Sequence, residues 1–212
     1  MLIFLLFEGI LGPRLSLLMW LDIPIPIAEI RVPILLFLSL VMVRFLAKIK
    51  LSQIGLYSWL KWTTIEKSYL IQILILANVV FSLLFIDKLA IVWVHQTIWG
   101  SAITLFLVTL LWGFYQEVIY RGLLQTELVR RWGSLVGILA SNLIFTFGPL
   151  HFYHFQKVPE HPEYLWIFAA TFTIGLFFGV LFKRSGNLWI VGIMHGIGDW
   201  YIDGLSKVIS LV

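Results

Sequence analysis

The chain has no cysteine and little charge: 212 residues contain no thiol, and only 12% are Asp, Glu, Lys or Arg. The first absence excludes disulfides, a thiolate nucleophile and thiolate metal sites, and it leaves the redox compartment open. The second excludes an ordinary soluble domain, in which about a quarter of residues are charged. What takes their place is apolar, 60% of the chain. Such a chain supplies about seven helices of roughly 20 residues each and almost nothing outside a bilayer. The expected fold is all-α, a polytopic helix bundle forming one membrane domain over 1–212. The formal net charge of +4 suits loops facing anionic lipid. The basic residues are scattered among helix ends without a continuous patch, which argues against nucleic acid as a partner.

The apolar runs predict spans at about 1–21, 33–47, 69–86, 99–128, 135–150, 164–182 and 188–201. The first, interrupted by Glu8 and Arg14 and lacking a basic opening and a small-residue cleavage site, reads as a retained helix rather than a signal peptide. Lys48, Lys50, Lys61 and Lys67 fall in the second connection, Arg130 and Arg131 in the fourth, and Lys183 and Arg184 in the sixth; the odd connections hold only Arg31, Lys88 and Lys157. That alternation puts the basic loops and the amino terminus in the cytoplasm and the carboxyl terminus outside. The expected location is the membrane of a bacterial or archaeal cell. Gly133-x-x-x-Gly137, Gly175-x-x-x-Gly179 and Gly192-x-x-x-Gly196 read as packing devices that let helix backbones approach closely.

Inside these spans stand groups that lipid penalises. Gln116-Glu117-x-x-x-Arg121, Phe147-x-x-x-His151 and His195-x-x-x-Asp199 each interrupt an apolar run, at a cost of roughly 2.5–3.5 kcal/mol per charge near a helix centre. On a helix, residues four apart share a face, so Glu117 can pair with Arg121 and His195 with Asp199, with Asp203 one step further along. A buried salt bridge and a carboxylate-held histidine would account for those pairs without chemistry. The same residue types also supply a base, an acid and oxyanion donors, the equipment of hydrolysis. Gly148-Pro149 before His151 breaks the helix and frees backbone carbonyls for a polar cavity. His95, His154 and His161 read as solvated, with His154 a candidate to support His151.

The order and spacing of these groups resemble the CPBP family of membrane proteases, which includes the type II CAAX prenyl endopeptidases and the abortive-infection proteins. The family's Glu-Glu-x-x-x-Arg, Phe-x-x-x-His and His-x-x-x-Asn/Asp motifs correspond to Gln116–Arg121, Phe147–His151 and His195–Asp199, so the resemblance covers a core of about 112–200. It implies a glutamic-type intramembrane endopeptidase acting near the carboxyl terminus of a membrane-associated protein or peptide, without a cofactor. By position, His151 would activate water, His195 and Asp199 would stabilise the oxyanion, and Arg121 would anchor the first motif. Gln116 departs from the pattern, because it stands where the leading Glu should be and a carboxamide cannot accept a proton from water. Three readings follow. Glu117 serves as base from a rotated or unwound helix, since neighbours on a helix point about 100° apart; or His151 is the base and Gln116 only positions water; or the chain is an inactive relative that binds membrane segments.

Two other classes stand beside this one. Glu117, His151, His195 and Asp199 form a plausible oxygen and nitrogen ligand set for zinc, chiefly at the His151, His195 and Asp199 cluster, although no HExxH helix is present. A small bundle with midplane carboxylates and histidines could also carry protons or a solute, but the paired interrupted spans of an inverted repeat are missing. The topology itself has a direct check, since the native chain offers no competing thiol. An impermeant maleimide is expected to label Lys61→Cys and Lys157→Cys from opposite sides of the membrane, and labelling from one side overturns the charge-based orientation.

Overall fold

The computed structural model describes residues 25–151, 158–162 and 164–212. The expected first span, 1–21, and the candidates His154 and Lys157 lie outside the described residues. The described part is helical, with no strand: α1 (Ile25–Val41), α2 (Thr64–Leu84), α3 (Ile86–Val94), α4 (Trp99–Glu117), α5 (Thr126–Phe147), α6 (Tyr164–Ser185), α7 (Leu188–Asp199) and α8 (Leu205–Ile209). Wider π turns follow three of them, Met42–Leu46 after α1, Val118–Gln125 after α4 and Trp200–Gly204 after α7. Large apolar side chains such as Phe37, Leu83, Leu135 and Trp166 point outward, the inverse of a soluble protein and the arrangement a lipid solvent rewards.

Among the described residues three stretches are long and apolar enough to cross a membrane: Thr64–Leu84, Gln96–Phe147 and Tyr164–Ser185. The second has 52 residues, about 78 Å if straight, more than twice a hydrocarbon core of about 30 Å. It does not run straight. Gly133 adopts φ 78°, ψ 170° inside α5, a left-handed backbone that glycine takes without a steric penalty. The chain folds back there so tightly that a Cβ on Gly137 would lie 2.4 Å from the backbone nitrogen of Val129. The break between the expected fourth and fifth spans is thus a single reversed glycine. The expected last span, 188–201, holds only the 12-residue α7, too short by itself to cross, and it gains length through the π turn and α8. The third connection, read from sequence as a loop, contains the extra helix α3.

Glycines set the core. A Cβ on Gly113 would meet the Gly196 nitrogen at 2.4 Å, and one on Gly196 would meet the Leu110 Cα at 2.5 Å, so α4 and α7 touch backbone to backbone. They run antiparallel, since Phe114 packs edge-on against Trp189 at one end and Phe106 against Trp200 at the other. The α5 and α6 helices are antiparallel too, joined by Asn142 to Phe172 and by a stack of Phe147 on Phe168. The Gly175/Gly179 and Gly192/Gly196 pairs are therefore contact surfaces.

One end of the bundle is tied by a polar clasp. Thr63 and Glu66 cap α2 reciprocally, with Thr63 N donating to Glu66 Oε2 at 2.7 Å and Glu66 N to Thr63 Oγ1 at 3.2 Å. Glu66 also accepts from the Tyr57 hydroxyl and from Asn187 Nδ2, while Leu188 N donates to Gly55 O at 2.9 Å. Burial and the adjacent Glu66 carboxylate push the Tyr57 hydroxyl above its ordinary range. The clasp seats the basic 48–67 connection on the turn that follows Lys183 and Arg184.

The glycine contacts can be checked in detergent. Gly196→Ala is expected to lower stability by about 1–3 kcal/mol, the usual cost of overpacking, read as an earlier thermal transition. Gly100→Ala, whose Cβ meets nothing within 4 Å, is expected to leave the transition in place or raise it.

Candidate active site

The backbone contact of α4 with α7 delivers two motifs to one point. Glu117, the last residue of α4, is wholly buried, and its Oε1 accepts from His195 Nδ1 at 2.7 Å. Arg121, on the following π segment, is 1% exposed and pairs with the same oxygen through Nη1 at 3.2 Å. The expected i,i+4 pair forms, and it forms inside the protein. Charges taken out of water in this way persist only when paired and hydrogen-bonded. Arg121 is held further by Nη2 donating to Gly175 O at 2.9 Å and by Phe145, whose ring centre lies 4.3 Å from the guanidinium carbon.

Phe145 also connects the histidines. The His151 ring meets it edge-on at 5.0 Å between centres, and the His195 ring at 5.9 Å. Both imidazoles therefore flank one phenyl ring. His151 Nδ1 lies 2.8 Å from Phe145 O. A carbonyl only accepts, so Nδ1 carries the proton and the lone pair of the neutral ring sits on Nε2. The same reasoning puts the His195 proton on Nδ1, facing the carboxylate. His195 Nε2 stands 3.7 Å from Asp199 Oδ1, within ion-pair range and beyond a hydrogen bond.

Four sequence candidates thus share a contiguous cluster, Glu117, Arg121, His195 and Asp199, with His151 across Phe145. Gln116 is buried at 3% exposure but is not hydrogen-bonded into this cluster among the described residues; Glu117 takes the inward position. The motif's Phe147 turns outward, 44% exposed, and the aromatic contact belongs to Phe145 instead. Asp203, one turn beyond Asp199, is exposed, and so, elsewhere in the chain, are His95 and His161. Among the described residues no group of three or more His, Asp or Glu is gathered so as to hold a metal ion.

Sequence reasoning did not single out Gln125, Asn142 and Thr146, each nearly or wholly buried beside Arg121 or on the α5 face that follows. A signal was available for Asn142 and Thr146, polar residues in the apolar run 135–147, whereas Gln125 stands beside Thr126 and Glu127, where a polar residue draws no notice. Glu117 Oε2, Asn142 Oδ1, Thr146 Oγ1 and Asp199 Oδ2 are buried without a hydrogen bond among the described residues. Acceptors of this kind are ordinarily met by buried water. The cluster combines two carboxylates and two imidazoles with acceptors suited to water, which is sufficient for proton transfer to and from a bound nucleophile.

Fold and cluster together define a helical membrane protein with a cluster of ionisable side chains buried among its helices. A family model described as type II CAAX prenyl endopeptidase Rce1-like matches residues 97–201, the stretch that carries all three motifs, and over it the chain is a member of that family. No curated protein and no solved structure matches the chain.

The ion pair predicts a pattern in stability. Arg121→Met strands the Glu117 carboxylate and is expected to destabilise by about 3–5 kcal/mol, whereas Glu117→Leu combined with Arg121→Met recovers most of the loss. Thermal unfolding of the parent and the two variants checks it, and an Arg121→Met melt equal to that of the parent refutes a paired, buried charge.

Proposed function

We propose that this protein is a multi-pass intramembrane endopeptidase of the glutamic type, built on about seven spans in the membrane of a bacterial or archaeal cell. Its substrate is a membrane-associated protein or peptide, cut near its carboxyl terminus. The observation that carries the reading is the wholly buried Glu117 carboxylate, hydrogen-bonded to His195 and ion-paired with Arg121 through one oxygen, with the other oxygen left as an acceptor without a hydrogen bond among the described residues. A carboxylate needed only for packing would be replaced without loss by an apolar side chain.

In this reading Glu117 Oε2 takes one proton of a water, which His151 Nε2 orients by accepting a hydrogen bond from its other O–H, as the water oxygen attacks the scissile carbonyl carbon. The two electrons of the C=O π bond move to the carbonyl oxygen, which His195, backed by Asp199, stabilises. Collapse of the tetrahedral intermediate breaks the C–N bond, and the stored proton passes to the departing amine. Arg121 pairs with the carboxylate and holds it in place. The π segment that begins at Val118 and the inward turn of Glu117 favour Glu117 over position 116 as the base. The family match supports a protease of the CAAX type, and a prenylated carboxyl-terminal peptide is the first substrate to try.

The test uses the purified protein in nanodiscs and a prenylated CAAX-type peptide. Glu117→Gln is expected to lower cleavage about 100-fold or more, the usual worth of a positioned base, and His151→Ala to abolish it. Gln116→Glu is expected to give no increase. If Gln116→Glu raises the rate about 100-fold while Glu117→Gln is silent, the base belongs at position 116. If no version cleaves while all bind the peptide equally, the protein binds membrane segments and does not cut them.

A further inference from the structure

The α6 helix carries none of the motif residues, yet three buried side chains from other elements reach its backbone. Asn142 Nδ2 donates to Phe172 O at 2.8 Å, Arg121 Nη2 to Gly175 O at 2.9 Å, and Gln125 Nε2 to Gly179 O at 2.8 Å. Acceptors at 172, 175 and 179 lie along one side of a helix, three and four residues apart. Glycine at two of the three positions makes the approach possible: a Cβ on Gly175 would sit 2.3 Å from Asn142 Oδ1 and 3.1 Å from Arg121 Nη2, and one on Gly179 would sit 2.9 Å from Gln125 Oε1.

The donors come from the two segments that must be held apart correctly. Arg121 and Gln125 belong to the π segment that continues from Glu117. Asn142 belongs to α5, one turn before Phe145, whose carbonyl orients His151. Asn142 and Gln125 are each 1% exposed, and each leaves its amide oxygen without a hydrogen bond among the described residues. An apolar side chain of similar size would avoid that cost, so packing alone does not account for either amide.

We propose that α6 is the template that sets the distance between the Glu117 carboxylate and His151, with Asn142 and Gln125 as positioning residues acting through its row of carbonyls. Asn142 fixes the His151-bearing helix to α6. Gln125 fixes the π segment to the same helix one turn beyond Arg121, so that the guanidinium meets Glu117 in a single register. The inference rests on the protease reading for its kinetic consequence, and on geometry alone for the clamp.

The test is a double-mutant cycle with Asn142→Leu, Gln125→Met and Arg121→Met, near-isosteric changes that remove the carbonyl bonds. In a cleavage assay, Asn142→Leu and Gln125→Met are each expected to lower kcat about 10- to 100-fold, the scale of a small misplacement of reacting groups, with KM unchanged. Each effect is expected to shrink when Arg121→Met is already present. Gly175→Ala, which leaves every polar group in place, is expected to reproduce the kcat loss by displacing Asn142 and Arg121. The same cycle read by thermal unfolding keeps the two readings apart. Coupled melts in a parent that cuts no peptide retain the clamp and remove the protease reading. Additive effects in the melts, or single variants with parental kcat in a cleaving parent, overturn the proposal.

Discussion

A carboxylate buried among the helices governs this structure. Arg121 and His195 converge on one oxygen of Glu117, and each of those partners in turn needs its own support. Arg121 leans on Phe145 and the Gly175 carbonyl; His195 stands on a helix that touches α4 through paired glycines. Removing any of these supports leaves a charge among apolar side chains, where the penalty reaches several kcal/mol. The helices that carry no motif residue are therefore as much a part of the site as those that do.

The fold shows the same dependence in its close contacts. Backbones at Gly113 and Gly196 approach until no side-chain atom fits between them, and that approach lets a glutamate on one helix reach a histidine on the other. Along α6, two further glycines admit a guanidinium and a carboxamide to main-chain oxygens. Small residues here determine where polar groups meet, beyond simply allowing helices to pack.

The all-helical class, the i,i+4 pairing of Glu117 with Arg121 and the use of the late glycine pairs were legible in the sequence because each follows from local periodicity or from the cost of charge in lipid. The side to which Glu117 points was not, because it depends on the α4–α7 contact and on the π segment after it, neither of which leaves a periodic trace. Spacing singled out Phe147, but in the fold Phe147 faces outward against Phe168 and Phe145 is the one buried beside both histidines. The helix α3 was hidden by its short length and by Lys88 within it. Gly133 was legible as a small residue near a boundary, but a full reversal there needs its left-handed backbone, which composition does not reveal.

The π segment at Val118–Gln125 gives this region a reserve of length. An i→i+5 turn holds one residue more than an α turn, so losing one residue between 118 and 125 would restore ordinary helical winding and leave the chain beyond facing as before. The same loss inside the α-helical Trp99–Glu117 has no such outlet. Every residue past the cut would turn by about 100° relative to those before it, so the close contact at Gly113 and the Glu117 carboxylate would no longer face α7 together.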